Sequence, residues 1–215
     1  MNTLVPDYSR RDFLKRSSFA AAGTLSLVSI PVLGASFSPV QDEINIVGPK
    51  TGYAPQVGTL VSMMNWMRDV VESQVRGLEK EQLDFLIDDK ANSIGAMLLH
   101  LAATERFYQI HTFEGKNWGD WSNEDRKRWS IASGLGDRAR KKIKGNDLPY
   151  YLDALNEVRT NTLNELKNRD DDWLLKVDQQ WAWGPTNAYC KWFHVVEHES
   201  NHNGQIKFIK SRIPS

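Results

Sequence analysis

Three of the chain's five histidines, His194, His198 and His202, recur at four-residue intervals in the stretch WFHVVEHESNHNGQIKFIKSR near the C-terminus. Residues four apart on an α-helix stand one above another on the same face, so the three imidazoles form a column. Imidazole is the commonest metal-donor side chain, and two of them one turn apart can hold one ion between them. A further donor from elsewhere would complete a site, and His100, in Leu98-Leu99-His100-Leu101-Ala102, is the candidate. A lone histidine in such apolar surroundings is more often a hydrogen-bonded core residue than a ligand. The histidine column elsewhere shifts that balance toward metal. Ligands at about 2.1 Å from one ion would have ring nitrogens about 3 to 4 Å apart.

The same stretch contains His198-Glu199-Ser200-Asn201-His202, which has the form of the zinc-protease signature His-Glu-x-x-His. Those enzymes take a third ligand downstream, yet no acidic residue follows Glu199 and no histidine follows His202. The extended metzincin spacing fails as well, because glycine comes two residues after His202 rather than three. The peptidase reading is therefore set aside. Glu199 remains a candidate general base if it reaches a metal-bound water, against the blander expectation of a solvent-facing helix glutamate. A di-iron carboxylate site needs two Glu-x-x-His elements and c-type haem needs Cys-x-x-Cys-His, and the chain supplies neither.

The elements that must position these residues read as helices. Val57, Leu60, Val61, Met64, Met67, Val71, Val75 and Leu78 keep near-helical spacing, with Arg68, Glu72 and Arg76 assigned to the polar side and an end near Gly77. A second helix begins at Asn92-Ser93, good capping residues, and runs to about His111, itself expected at the surface or the helix end. A third starts at Asp147 with Pro149 in its first turn, and the fourth, carrying the histidines, opens near Thr186. Between the second and third lie Trp118, Trp121 and Trp129, with a short helix expected around Asn123 to Ser130; Trp173, Trp181 and Trp183 precede the fourth. The second of these connections is expected to pack over one end of a bundle, since indoles rarely stay in water. Four long helices with no strand between them make an all-α helical bundle.

Composition narrows the function. The 27 basic and 27 acidic residues cancel, and the local basic excess, Arg10, Arg11, Lys15 and Arg16, lies near the N-terminus, so nothing electrostatic points to nucleic acid. The single cysteine, Cys190, excludes an internal disulfide and is expected to be a buried structural thiol. Ser9-Arg10-Arg11-Asp12-Phe13-Leu14-Lys15 precedes an uncharged, mildly apolar run from Ser17 to Leu33, followed by small residues. This resembles a twin-arginine signal peptide over residues 1–35, cleaved near Ala35 or Ser36, and implies the twin-arginine export machinery as a partner and a periplasmic or otherwise exported location. The run is too short and too rich in Ser, Ala and Gly for a stable membrane span. Residues 36–54 then form a linker and 55–215 one domain.

Asn92-Ser-Ile-Gly-Ala-Met-Leu-Leu-His100-Leu101-Ala102, together with His198-Glu-Ser-Asn-His202-Asn-Gly-Gln-Ile206, resembles the DinB-like superfamily, which includes YfiT-type proteins and bacterial thiol transferases. The resemblance covers about residues 55–212. It implies a four-helix bundle of up-up-down-down type with long Trp-rich loops, binding one divalent metal, zinc or nickel, through His100, His198 and His202. His194 departs from that pattern: three successive turns of one helix do not normally reach a single ion, so His194 is expected beside the site or in the core. Three neutral imidazoles leave coordination positions open, the arrangement of a catalytic site. The expected function is a metal-dependent hydrolase or thiol-type transferase acting on an unidentified small molecule. The alternative is a non-catalytic metal-binding or stress-associated bundle, and an open, lined pocket would discriminate the two. A homodimer is an allowed assembly.

Overall fold

The computed structural model describes residues 43–214. Along the chain lie α1 (Pro55–Val75), α2 (Lys80–Asp84), α3 (Ile94–Thr112), α4 (Asn123–Gly134), α5 (Gly136–Lys142), α6 (Leu148–Leu166), α7 (Asp171–Leu175), the strands β1 (Val177–Asp178) and β2 (Thr186–Asn187), and α8 (Ala188–Lys210). The four long helices α1, α3, α6 and α8 form an all-α bundle. None of the described helices is long and apolar enough to cross a membrane. Their starts follow local capping chemistry: Ser93 accepts from the Ala96 amide, Asp147 from Tyr150 and Asn187 from Cys190. The start of α1 lacks a cap of its own, and Asp171 supplies one, its Oδ1 accepting from Gln56 N at 2.9 Å and Val57 N at 3.2 Å.

That contact sets the start of α1 against the segment following α6, so the two helices run antiparallel. Gly95 meets Tyr151 near the starts of α3 and α6, while Gln109 donates to Thr162 further along both, so these two are parallel. A Cβ on Gly95 would lie 2.6 Å from the Tyr151 ring, and glycine permits this close approach. Trp192, early in α8, donates to Thr112 at the end of α3, making that pair antiparallel. Lys210 at the end of α8 reaches the Gln74 carbonyl at the end of α1, so those two run the same way. The order is up-down-down-up, which corrects the up-up-down-down order; the parallel helices α3 and α6 are joined by residues 113–147, a connection long enough to recross the bundle.

Two other expectations change. The connection before α8 contains a strand pair, with Val177 opposite Asn187 and Asp178 opposite Thr186. Arg68 does not face solvent but is 5% exposed in the bundle centre, with Glu105, Arg159 and Glu199. Arg68 donates to Glu105 at 2.8 Å and Glu199 at 2.6 Å, and Arg159 to Glu105 and Glu199, each at 2.9 Å. The remaining guanidinium donors reach the carbonyls of Leu155 and Met64. Each long helix contributes one member of this neutral quartet. On every helix it separates the two apolar clusters, one holding Val57, Leu60, Met64 and Trp192, the other Val71, Leu98, Leu155 and Ile206. Burial opposes ionisation of Glu105, but Arg159 and Arg68 outweigh it and hold the carboxyl below its usual range.

Candidate metal centre

The antiparallel register of α3 and α8 brings His100 opposite His198 and His202. The Nε2 atoms of His100 and His198 lie 2.9 Å apart, and one ligand nitrogen from each of the three rings lies within 4.8 Å of the others. This spread slightly exceeds the 3 to 4 Å expected of ligands already closed on an ion. The ring centroids are separated by 5.0, 5.0 and 4.7 Å. Burial, reinforced by the neighbouring imidazoles, pushes His198 down to about 3 and His202 down to about 4, and burial lowers His100 as well. All three are therefore neutral near pH 7 and keep a lone pair available.

The orientation of His100 is fixed by α4. Its Nδ1 lies 2.9 Å from the Ala132 carbonyl, an acceptor, so Nδ1 carries the proton and Nε2 presents its lone pair toward His198. Nδ1 of His202 is buried with no hydrogen-bond partner. An unpartnered buried nitrogen is costly in a finished apolar core and is consistent with a ligand position.

The other histidines fall outside this cluster. His194 continues the column, its ring 5.5 Å from His198, but its Nδ1 is hydrogen-bonded to the Tyr108 hydroxyl at 2.8 Å and it borders a cavity rather than the core. His111 is a packed residue, its ring 4.7 Å from Trp181, its Nδ1 donating to the Lys116 carbonyl and its Nε2 accepting from Lys191. Glu199 is not a solvent-facing residue, and its Oε2 is buried with no hydrogen-bond partner. It is 1% exposed and its Oε1 accepts from both arginines of the buried quartet. On a helix Glu199 stands roughly 100° from His198 and roughly 60° from His202, which sets it beside the histidine face and toward the bundle axis. Cys190 is exposed, because Lys191 and Trp192 take the inward positions of that turn.

A cavity of about 540 Å³ opens beside the cluster, with His100 and His194 in its wall. The two Trp-rich connections form much of its lining through Trp118, Trp181 and Trp183, so they line a pocket as well as covering the bundle. Sequence reasoning missed Tyr108, Phe107 and Asp178 as lining residues. It also missed the buried quartet, although Arg68 falls in phase with Met64 and Val71 and so sits on the apolar stripe of α1.

Residues 59–214 match the family model for mycothiol S-transferase. The chain belongs to the mycothiol S-transferase family. The matched span takes in His100, His198 and His202, the quartet and the cavity, and carries the DinB-like character read from the histidine motifs. No curated protein matches. Among solved structures, a conserved protein from Enterococcus faecalis is similar in fold, with a TM-score of 0.54 at 13% identity over 70% of this chain and 92% of that one.

Proposed function

We propose that this member of the mycothiol S-transferase family is a metal-dependent thiol S-transferase, in which His100, His198 and His202 hold one divalent ion, zinc or nickel. The observation that carries the reading is the convergence of three neutral imidazoles beside a cavity of small-molecule size. The donor set suits either ion, because both accept imidazole. When bound, the ion supplies Lewis acidity that makes a coordinated thiol more acidic near neutral pH.

The protein's own groups prepare that chemistry. The Ala132 carbonyl fixes the His100 tautomer, the packing of α3 on α8 sets the spacing of the donors, and the Trp118, Trp181 and Trp183 side chains line the adjoining cavity. Net transfer joins the thiol sulfur to a carbon of the second substrate while the bond to its leaving group breaks, and the thiol proton departs to solvent. A small thiol of the mycothiol type is the first substrate. The cavity favours this reading over a bundle that merely stores metal. Residues 1–35 lie outside the described residues; from their sequence we propose export by the twin-arginine route and action outside the cytoplasm.

The test compares metal-loaded and chelator-stripped protein, given a small thiol and an aryl halide, for thioether formation by mass spectrometry. Metal-dependent product, lost in His100→Ala, is the expected result. Product formation that is indifferent to metal removal would overturn the assignment.

A further inference from the structure

The cavity beside His100 is walled by rings from three separate parts of the chain. Phe107 and Tyr108 come from α3, Trp118 from the connection after it, and Trp181 and Trp183 from the loop between β1 and β2. These rings form a continuous wall. Trp118 meets Trp181 edge-on with centroids 5.3 Å apart, Trp181 meets Trp183 edge-on at 5.5 Å, and Trp183 reaches His194 at 5.0 Å. Trp118 and Trp183 are nonetheless each 55% exposed. Leaving two indoles in water forgoes apolar burial that ordinary packing would recover, and exposed apolar surface of this kind marks ligand grooves.

Charge decides which ligand suits the wall. Asp178, the acidic residue lining the cavity, is held by Lys191 Nζ at 2.6 Å. The same ammonium lies 4.3 Å from the centre of the Trp181 ring, so this ring already carries a cation and its positive charge borders the cavity. His111 is committed as well, between the Lys116 carbonyl and Lys191. Thr104, Asn117, Ser133 and Gln180 in the lining are uncharged, the Tyr108 hydroxyl and His194 Nδ1 are bonded to each other, and His100 Nδ1 is held by Ala132, which leaves a sparse set of free groups for a sugar.

We infer, building on the transferase reading, that the cavity binds the electrophilic partner of the thiol, and that this partner is a flat, uncharged aromatic molecule stacked against Trp118 and Trp183. Pockets of 300 to 1,000 Å³ hold small ligands, roughly, and about 540 Å³ accommodates a bicyclic ring system. In the transfer the sulfur–carbon bond forms at the aromatic carbon, the leaving group departs with the bonding pair, and the thiol proton goes to solvent.

The experiment titrates naphthol, a flat and unreactive probe, into metal-stripped full-length protein by calorimetry, so that binding is read without chemistry. Naphthol is expected to bind the wild type, and Trp118→Ala and Trp183→Ala are each expected to weaken it about tenfold, the order of one lost aromatic stacking contact. Trimethylphenylammonium and methyl glucoside are expected to bind at least about tenfold more weakly than naphthol. If a thermal melt shows that either alanine variant has not folded, Trp183→Leu keeps the apolar bulk without the ring and gives the same reading. Equal or tighter binding of the cation or the sugar, or unchanged naphthol affinity in both tryptophan variants, would overturn the inference. Naphthol binding with no thiol transfer would count against the transferase reading alone, and thiol transfer without naphthol binding against this inference alone.

Discussion

His194, His198 and His202 are the same residue type on one face of one helix, and their partners distinguish them. Nδ1 of His194 is engaged by Tyr108, whereas Nε2 of His198 faces His100 and Nδ1 of His202 has no protein partner. His194→Ala is therefore expected to leave the metal stoichiometry intact and weaken affinity by at most about 10- to 100-fold, the usual effect of a residue beside the ligands. Competition against a chromogenic chelator measures it. Glu199 behaves differently from its motif: it balances Arg68 and Arg159 in a layer closed to water. Glu199→Ala leaves buried positive charge uncompensated and is expected to cost about 3 to 5 kcal/mol in urea unfolding, with metal bound at saturation in the folded fraction. A stable Glu199→Ala protein that no longer binds metal would return Glu199 to the site.

At the scale of elements, α3 and α8 bring the donors together and α4 fixes one of them through the Ala132 carbonyl. The cluster therefore affects bundle stability as well as chemistry. In metal-free protein, His198 and His202 bind protons only near 3 and 4 when folded, but near the ordinary 6.5 when unfolded. Below 6.5 the unfolded chain takes up more protons, so stability is fully present above that pH and falls progressively as pH drops toward the folded values. Thermal melts of stripped protein should show a declining midpoint from pH of about 6.5 to about 5, above the range where Glu105 contributes, and this slope should flatten in His198→Gln/His202→Gln protein. An unchanged slope would contradict the burial of neutral imidazoles.

The four long helices and their capping residues Ser93 and Asp147 were legible in the sequence, because periodicity and caps are local signals. The grouping of His100 with His198 and His202 was legible through the resemblance to a known family. Helix direction was not, since periodicity says which face is buried but not which neighbour covers it. The short α2, α5 and α7 fall below the length at which a helix is stable by itself and depend on tertiary contacts, such as Asp171 capping α1. Cys190 was misplaced because its bulky neighbours suggested burial while the direction of its own side chain on the first turn of α8 was not apparent from composition.

For the whole molecule, location and metal content are the two properties that connect structure to function. Replacing Arg10 and Arg11 together by lysine is expected to retain the protein in the cytoplasm, as cell fractionation would show, and unchanged export would remove the twin-arginine route. Elemental analysis of purified protein after equilibration with zinc or nickel and removal of free metal tests the three-histidine centre itself. About one ion per chain is expected in the wild type, and none in folded His100→Ala, His198→Ala or His202→Ala protein. Metal-free wild type under these conditions, or an ion retained when all three histidines are replaced, would contradict the account.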